Sequence, residues 1–372
     1  MKLAIDCLTF ESRKALGYER YIFSLLDCLY SNRAGVDADE VLIIVRSNQE
    51  AHFVQYADRM RIVTIDVRTL LGLALAQNTF RRRLRLSRDD VILHTYNYGS
   101  VIKQTKHVLV IFDLQYARLS KYWSRLKLWQ RRLFVPQSIR VASKVVTISQ
   151  FTKDEIIHFY HTNDAKIEVI YIPGDFQRLH SPAGTKGATV IGGEPSGGYF
   201  LSVSSMGPHK NLICLLTAYE LLGDVRKGHE LVLVGSRENL DIQCVEFLEH
   251  SEIGPYVLVT GDINDRALGA LYKNCLAFIL PTFYEGFGLP IAEALSYDRP
   301  VFLSDLSICR EIAGPFGWYF RPDDFAELAR LMGAVINEPE AFAVRSRDYV
   351  AERYSPENTT MRYVELVNRL LS

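Results

Sequence analysis

The sequence predicts an α/β protein built as two doubly wound domains, each a parallel sheet with helices on its faces. Three observations predict it. Short apolar runs recur along the whole chain, and most are followed by a turn and then by helical periodicity. The 372 residues exceed one core of usual size and suit two domains of about 150–180 residues each. Residues 173–198, PGDFQRLHSPAGTKGATVIGGEPSGG, are rich in Gly, Pro and Ser without periodicity, as an interdomain linker would be. The expected organisation is therefore a domain over 1–172, the linker 173–198, a second domain over 199–355 and a closing helix over 356–372.

Residues 1–9 read as a strand, Gly17 lies in the following loop, and Tyr18–Tyr30 repeats apolar residues at Tyr21, Ile22, Leu25, Leu26 and Leu29, one face of a helix. In that order, Gly17 is a candidate phosphate contact or simply a turn. Further strands are expected at Val41–Val45, Ile62–Ile65, Val91–Leu93 and Val108–Phe112. Site residues in such sheets sit at strand ends, which singles out His94 and Asp113. Two basic runs lie between these strands: 80–88, and 118–132 (RLSKYWSRLKLWQRR), where Trp123 and Trp129 interleave with cations. Such a run suits an anionic membrane surface, or is a solvated helix face whose tryptophans are core. Residues 144–172 give strand, helix and strand, with Ser149 as a helix cap.

The second domain opens with strand Tyr199–Val203, followed by His209-Lys210-Asn211 and a helix with Leu212, Leu215, Leu216, Tyr219 and Leu222 on one face. A lysine between a strand and a helix start is well placed for a phosphate. Strands are expected at Glu230–Val234 and Tyr256–Val259, then a helix from Asp265 and a strand over Leu276–Leu280 that Pro281 ends. Next comes Glu285-Gly-Phe-Gly-Leu-Pro-Ile-Ala-Glu293. Gly286 and Gly288 allow a close bend, and Pro290 suits a helix's first turn, so a helix begins near Leu289 or Pro290. The carboxylates of Glu285 and Glu293 are acceptors for vicinal hydroxyls or for another polar end of one ligand; singly, Glu293 also reads as an ordinary helix-surface residue. Pro300–Ser304 is another strand, and Ser355-Pro356-Glu357 caps a helix that runs into Tyr363–Leu371.

Composition narrows the classes. The chain is 48% hydrophobic and 23% charged, a globular balance. Six scattered cysteines, with no Cys-x-x-Cys pair, read as buried thiols. The strand-like opening predicts no signal peptide, and the longest uncharged apolar stretch, about Thr69–Phe80, is too short to span a bilayer. Net charge is zero, yet residues 1–180 hold 27 Lys and Arg against 18 Asp and Glu, and residues 181–372 hold 16 against 25. The basic half suggests an anionic partner there. Nucleic acid is not expected, because no binding fold accompanies the charge. Asp37-Ala-Asp39 lies in a polar turn, so no metal is expected.

The stretch 285–293 resembles the Glu-x7-Glu signature of the retaining group 1 (family 4) glycosyltransferases. Looser likenesses are Gly17-Tyr-Glu-Arg20-Tyr21 to the family's G-x-G-R-Y, Phe112-Asp113-Leu-Gln-Tyr116 to its H-D-L-x-x loop, and Lys210-Asn211 to its donor-phosphate lysine. Several positions depart: Glu19 replaces the second glycine of G-x-G-R-Y, Phe112 stands where the family has histidine, Ser205 and His209 occupy the usual places of an arginine, and Arg310 replaces the proline of P-E-V-x-G in Arg310-Glu311-Ile-Ala-Gly314. The resemblance implies the GT-B fold, two Rossmann-like domains facing across a cleft. It further implies a nucleotide-sugar donor, held by Gly17, His209, Lys210, Asn211, backbone near Ile263 and the 285–293 stretch including Gly286, Phe287, Gly288 and Leu289. In this reading Lys210 stabilises the leaving diphosphate, Glu285 holds the hexose, Glu293 the ribose, and Asp113 or His94 serves the acceptor side. The implied reaction is metal-independent, cofactor-free hexosyl transfer, with mannose from GDP-mannose as best guess, to a glycan or lipid-linked oligosaccharide of cell-surface polysaccharide. The expected location is cytoplasmic, with peripheral contact to the inner membrane face through 80–88 and 118–132. Two alternatives are a non-catalytic nucleotide-sugar-binding protein and a sugar-nucleotide epimerase on the same fold.

Overall fold

The computed structural model describes residues 1–10, 17–174, 198–226 and 228–372. Two compact units result: Met1–Pro173 together with Tyr354–Ser372, and Gly174–Arg353. Apart from Pro173, Gly174 and Gly198, the expected linker lies outside the described residues.

The first unit is a seven-stranded sheet of β1 (Lys2–Asp6), β2 (Glu40–Arg46), β3 (Arg61–Ile65), β4 (Val91–His94), β5 (Lys106–Ile111), β6 (Lys144–Thr147) and β7 (Ile167–Val169). Every pairing is parallel, in the order β3-β2-β1-β4-β5-β6-β7. Continuous apolar runs such as VLIIV in β2 belong to strands covered on both faces, and all five of those residues are buried. The strand order reverses between β1 and β4, which is where ligands bind in open α/β sheets. The Gly17–Ser31 helix buries Tyr21, Ile22, Leu25, Leu26 and Leu29, as its periodicity requires.

The Pro356–Leu371 helix belongs to this same unit. Ser355 caps it by accepting from Asn358 N at 3.2 Å, with Pro356 in the first turn. It packs on the Gly17–Ser31 helix, where the Tyr21 and Tyr363 hydroxyls share a buried hydrogen bond. Asn368 accepts from Asp37 N (2.9 Å) and donates to Gly35 O (2.8 Å), and Lys106 Nζ donates to Leu370 O.

The second unit holds β8 (Gly198–Val203), β9 (His229–Val234), β10 (Val257–Val259), β11 (Ala277–Leu280), β12 (Val301–Ser304) and β13 (Gly317–Phe320). They pair in parallel in the order β10-β9-β8-β11-β12-β13, reversing between β8 and β11. Its core gathers Phe200, Leu215, Leu216, Tyr219, Ile279, Phe302, Leu328 and Met332. β13 was not expected from the sequence: it is a short edge strand, half-exposed along most of its length, so it lacks the apolar run that marks a central strand.

The six cysteines are buried and unpaired. The 118–132 run is not one helix but two short turns followed by the Arg125–Val141 helix. Its tryptophans divide: Trp123 packs edge-on to Tyr116, while Trp129 is 61% exposed beside Leu126 (66%) and Leu133 (51%) on one helix face. In the 80–88 run Phe80 and Leu86 are buried and Arg81, Arg82 and Arg83 are exposed. Among the described residues no helix is long and apolar enough to cross a membrane, and no group of His, Cys, Asp and Glu could hold a metal ion.

Candidate active site

In the second unit the turns after β8 and β11, the two strands flanking the reversal, are laced together. Phe283 N donates to His209 O at 2.9 Å, and Thr282 Oγ1 to the same carbonyl at 3.1 Å. Asn211 adopts φ 53°, a left-handed conformation that asparagine tolerates, and its amide donates to Pro281 O (2.9 Å) and Pro322 O (2.8 Å). Asn211 is thus a buried strut between strand ends rather than a donor ligand. This frame brings Lys210 Nζ to 2.6 Å from Glu285 Oε1, with side chains 13% and 12% exposed. His209 lies half-buried beside Lys210; burial first, and then the Lys210 charge, push its pKa down to about 3, so its ring is neutral at physiological pH.

Beyond Glu285 the chain bends through Gly286, Phe287 and Gly288 into the Leu289–Leu295 helix. Phe287 and Gly288 are buried, and Gly286 and Leu289 half-buried. Gly288 has φ 84°, and a Cβ there would lie 2.8 Å from Ile291 Cδ1, so the bend needs glycine. Glu293 is a correction. It is 1% exposed and accepts from Tyr272 Oη at 2.9 Å, so it fastens this helix to the Asp265–Asn274 helix instead of presenting a carboxylate to a ribose. The structure makes it a positioning residue. Ile263 is half-buried after β10, beside Gly261, whose backbone bridges Gly235 after β9.

In the first unit the reversal between β1 and β4 is occupied by His94, and here too the structure corrects the expectation. His94 is 2% exposed, with Nδ1 2.8 Å from Asp6 Oδ2 and Nε2 3.2 Å from His107 Nδ1. Gln77 donates to Asp6 Oδ2 and Gln104 N to His107 Nε2, which gives a closed buried chain. Both nitrogens of His94 are engaged inside the core, so its imidazole is structural. Gly99 is tied to it, since a Cβ there would overlap the ring at 2.3 Å.

Asp113 is half-buried at the end of β5, where Oδ1 accepts from Gln115 N at 3.1 Å. Phe112 packs edge-on against Tyr18 and Tyr21 at 5.5 and 4.8 Å. Gly17 opens its helix with nothing within 4 Å of a Cβ built there, so its space does not demand glycine; residues 11–16 before it lie outside the described residues.

Sequence reasoning missed Arg131 and Tyr96. Arg131 Nη2 donates to Tyr96 Oη at 2.9 Å, and its guanidinium lies over the rings of Tyr96, Tyr98 and Trp123 at 4.9, 5.1 and 5.7 Å. Burial opposes the charge, and Tyr96, Tyr98 and Asp113 more than offset it. In the sequence Arg131 is one cation among several in its run; the signal there is that Tyr96 and Tyr98 lie just past a strand end.

A family model described as "Glycosyltransferase Family 4" matches residues 17–178, and one described as "Glycosyl transferases group 1" matches 193–352. The chain is similar to "O-antigen chain mannosyltransferase B" of Escherichia coli, 27% identical over 76% of each chain. It is also similar to "O-antigen chain mannosyltransferase RfbU" of Salmonella typhimurium, 26% identical over 61% of this chain and 60% of that one. Among solved structures, Anabaena HepE in complex with UDP-glucose superposes with TM-score 0.74 at 16% identity, over 99% of this chain and all of that one. With one of these models on each unit and a GT-B neighbour spanning both, the chain belongs to the group 1 and family 4 glycosyltransferases, of GT-B fold.

Proposed function

We propose that the protein transfers a hexose, best read as mannose from GDP-mannose, with retention and without a metal, to a glycan or lipid-linked oligosaccharide of cell-surface polysaccharide. The observation that carries this is the Lys210–Glu285 pair at the carboxyl ends of β8 and β11, a cation for a diphosphate beside an acceptor for sugar hydroxyls. The O-antigen mannosyltransferases that it resembles in sequence support mannose and the polysaccharide. Retention rests on the likeness of 285–293 to the retaining signature.

In this reaction the bond between the anomeric carbon and the diphosphate oxygen breaks, and its electron pair leaves with the diphosphate. The acceptor hydroxyl oxygen bonds to that carbon, and its proton ends on the departing diphosphate. Lys210 stabilises the developing negative charge, the kind of contribution that usually dominates catalysis. Glu285 orients the hexose, backbone near Ile263 receives the base, and Asp113 faces the acceptor. The basic first unit meets an anionic membrane surface through the cations of 80–88 and the exposed Leu126, Trp129 and Leu133 face.

The test is release of nucleoside diphosphate from GDP-, UDP-, dTDP- and ADP-sugars, with and without lipid-linked acceptor, by wild type, Glu285→Ala and Lys210→Ala. Release from one donor, lost in both variants, supports the proposal. A second reading, nucleotide-sugar binding without turnover, is favoured by Phe112, which fills the family's histidine position with a packed ring. Tight donor binding with no release in the presence of acceptor would select it.

A further inference from the structure

We propose that Glu285 also sets the preference for an intact nucleotide sugar over the spent nucleoside diphosphate, by competing with the diphosphate for Lys210. This rests on the donor reading above and deepens it. Lys210 and Glu285 neutralise one another at 2.6 Å in a setting where an unpaired charge is costly. Their separation is held by the frame: the His209 carbonyl ties the β8 turn to Thr282 and Phe283, and Asn211 ties it to Pro281 and Pro322. The neighbouring His209 ring is neutral and supplies no substitute cation.

A diphosphate that takes Lys210 therefore deprives Glu285 of its cation. An intact donor gives the carboxylate hexose hydroxyls in exchange, and these donate well to it. A bare nucleoside diphosphate gives it no donor and sets a second negative charge nearby. Once the hexose has moved to the acceptor, Glu285 loses those hydroxyls, and its return to Lys210 favours departure of the diphosphate. One side chain thus serves two steps, orienting the sugar and then clearing the product.

The experiment is calorimetric titration of wild type, Glu285→Gln and Glu285→Asp with GDP and with GDP-mannose, or the corresponding pair for whichever nucleotide the release panel selects. Glu285→Gln keeps the shape and removes the charge. It should bind GDP about tenfold or more tightly than wild type, equivalent to roughly 1.4 kcal/mol, while affinity for the intact donor stays level or falls. Glu285→Asp keeps the charge and should stay near wild type for GDP. An unchanged GDP affinity in Glu285→Gln, or equal tightening of both ligands, overturns the proposal while wild-type donor binding leaves the donor reading standing. Wild type that binds no sugar nucleotide at all overturns both.

Discussion

Each sheet carries an acid–base pair across its point of reversal, and the two pairs have opposite fates. Asp6 and His94 end β1 and β4, sit opposite each other in register, and meet at 2.8 Å with side chains 2% exposed. Lys210 and Glu285 follow β8 and β11, meet at 2.6 Å, and keep several times that exposure. The difference lies in how far each residue stands past the strand. Asp6 and His94 are the last strand residues, so their side chains point into the layers that cover the sheet. Lys210 and Glu285 stand on turns beyond the strand ends, where the chain has left those layers. Location at a switch point therefore does not by itself make a site; the extra residues that carry a side chain clear of the core do.

Removing the open pair should produce the largest functional loss. Lys210→Ala or Glu285→Ala should lower turnover by about a thousandfold, the scale seen when a preorganised charge contact is lost, with a smaller fall in melting temperature than removal of His94 produces. Rate and thermal melt on the same preparations check this, and a melt that falls as far as that of the His94 variant would erase the contrast. The sealed pair should behave in reverse. His94→Ala takes one partner each from Asp6 Oδ2 and His107 Nδ1, opens a cavity in the core, and should cost about 2–4 kcal/mol of stability in denaturant titration. An undiminished stability would show that the buried chain is dispensable.

Proton linkage sharpens the same comparison. Burial first, then the charges of His94 and Lys103, push His107 from its ordinary 6.5 down to about 3. Between those values the unfolded chain binds more protons, so the stabilisation is complete above pH 6.5 and is lost as pH falls toward 3. Stability measured against pH should show this slope, and His107→Gln should make it shallower. The smallest effect is expected on the exposed face of the Arg125–Val141 helix. Trp129→Glu should reduce flotation with anionic vesicles a few-fold, roughly 1 kcal/mol, without altering the melt. Equal flotation of the variant would remove membrane contact from the proposal.

The second unit's turn was legible because its signals are local: a strand, two glycines, a proline and two glutamates within one short stretch fix where the helix begins. Glu293 was misread from the same stretch, because helical spacing cannot reveal that Tyr272 lies across from it. His94 was misread because its partner is 88 positions away, a contact that only β1–β4 pairing creates. Asn211 looked like part of a phosphate motif, and its positive φ and two carbonyl partners appear only once β11 and the Pro322 turn are folded beside it. Arg131 stayed hidden because its burial comes from rings on two other segments, Tyr96 and Tyr98 after β4 and Trp123 before its own helix. Interactions within one turn of chain can be read from spacing, and those made by sheet pairing cannot.

The Pro356–Leu371 helix has a consequence for the order in which the molecule is made. Its tyrosine, asparagine and lysine contacts complete the first unit, yet it is synthesised after every residue of the second. The second unit is one continuous stretch and contains every residue of its own fold. The first leaves the Tyr21 face of its opening helix uncovered until residues 354–372 are made. A released chain truncated before residue 354 should then hold a protease-resistant second unit beside a first unit that is still open to cleavage.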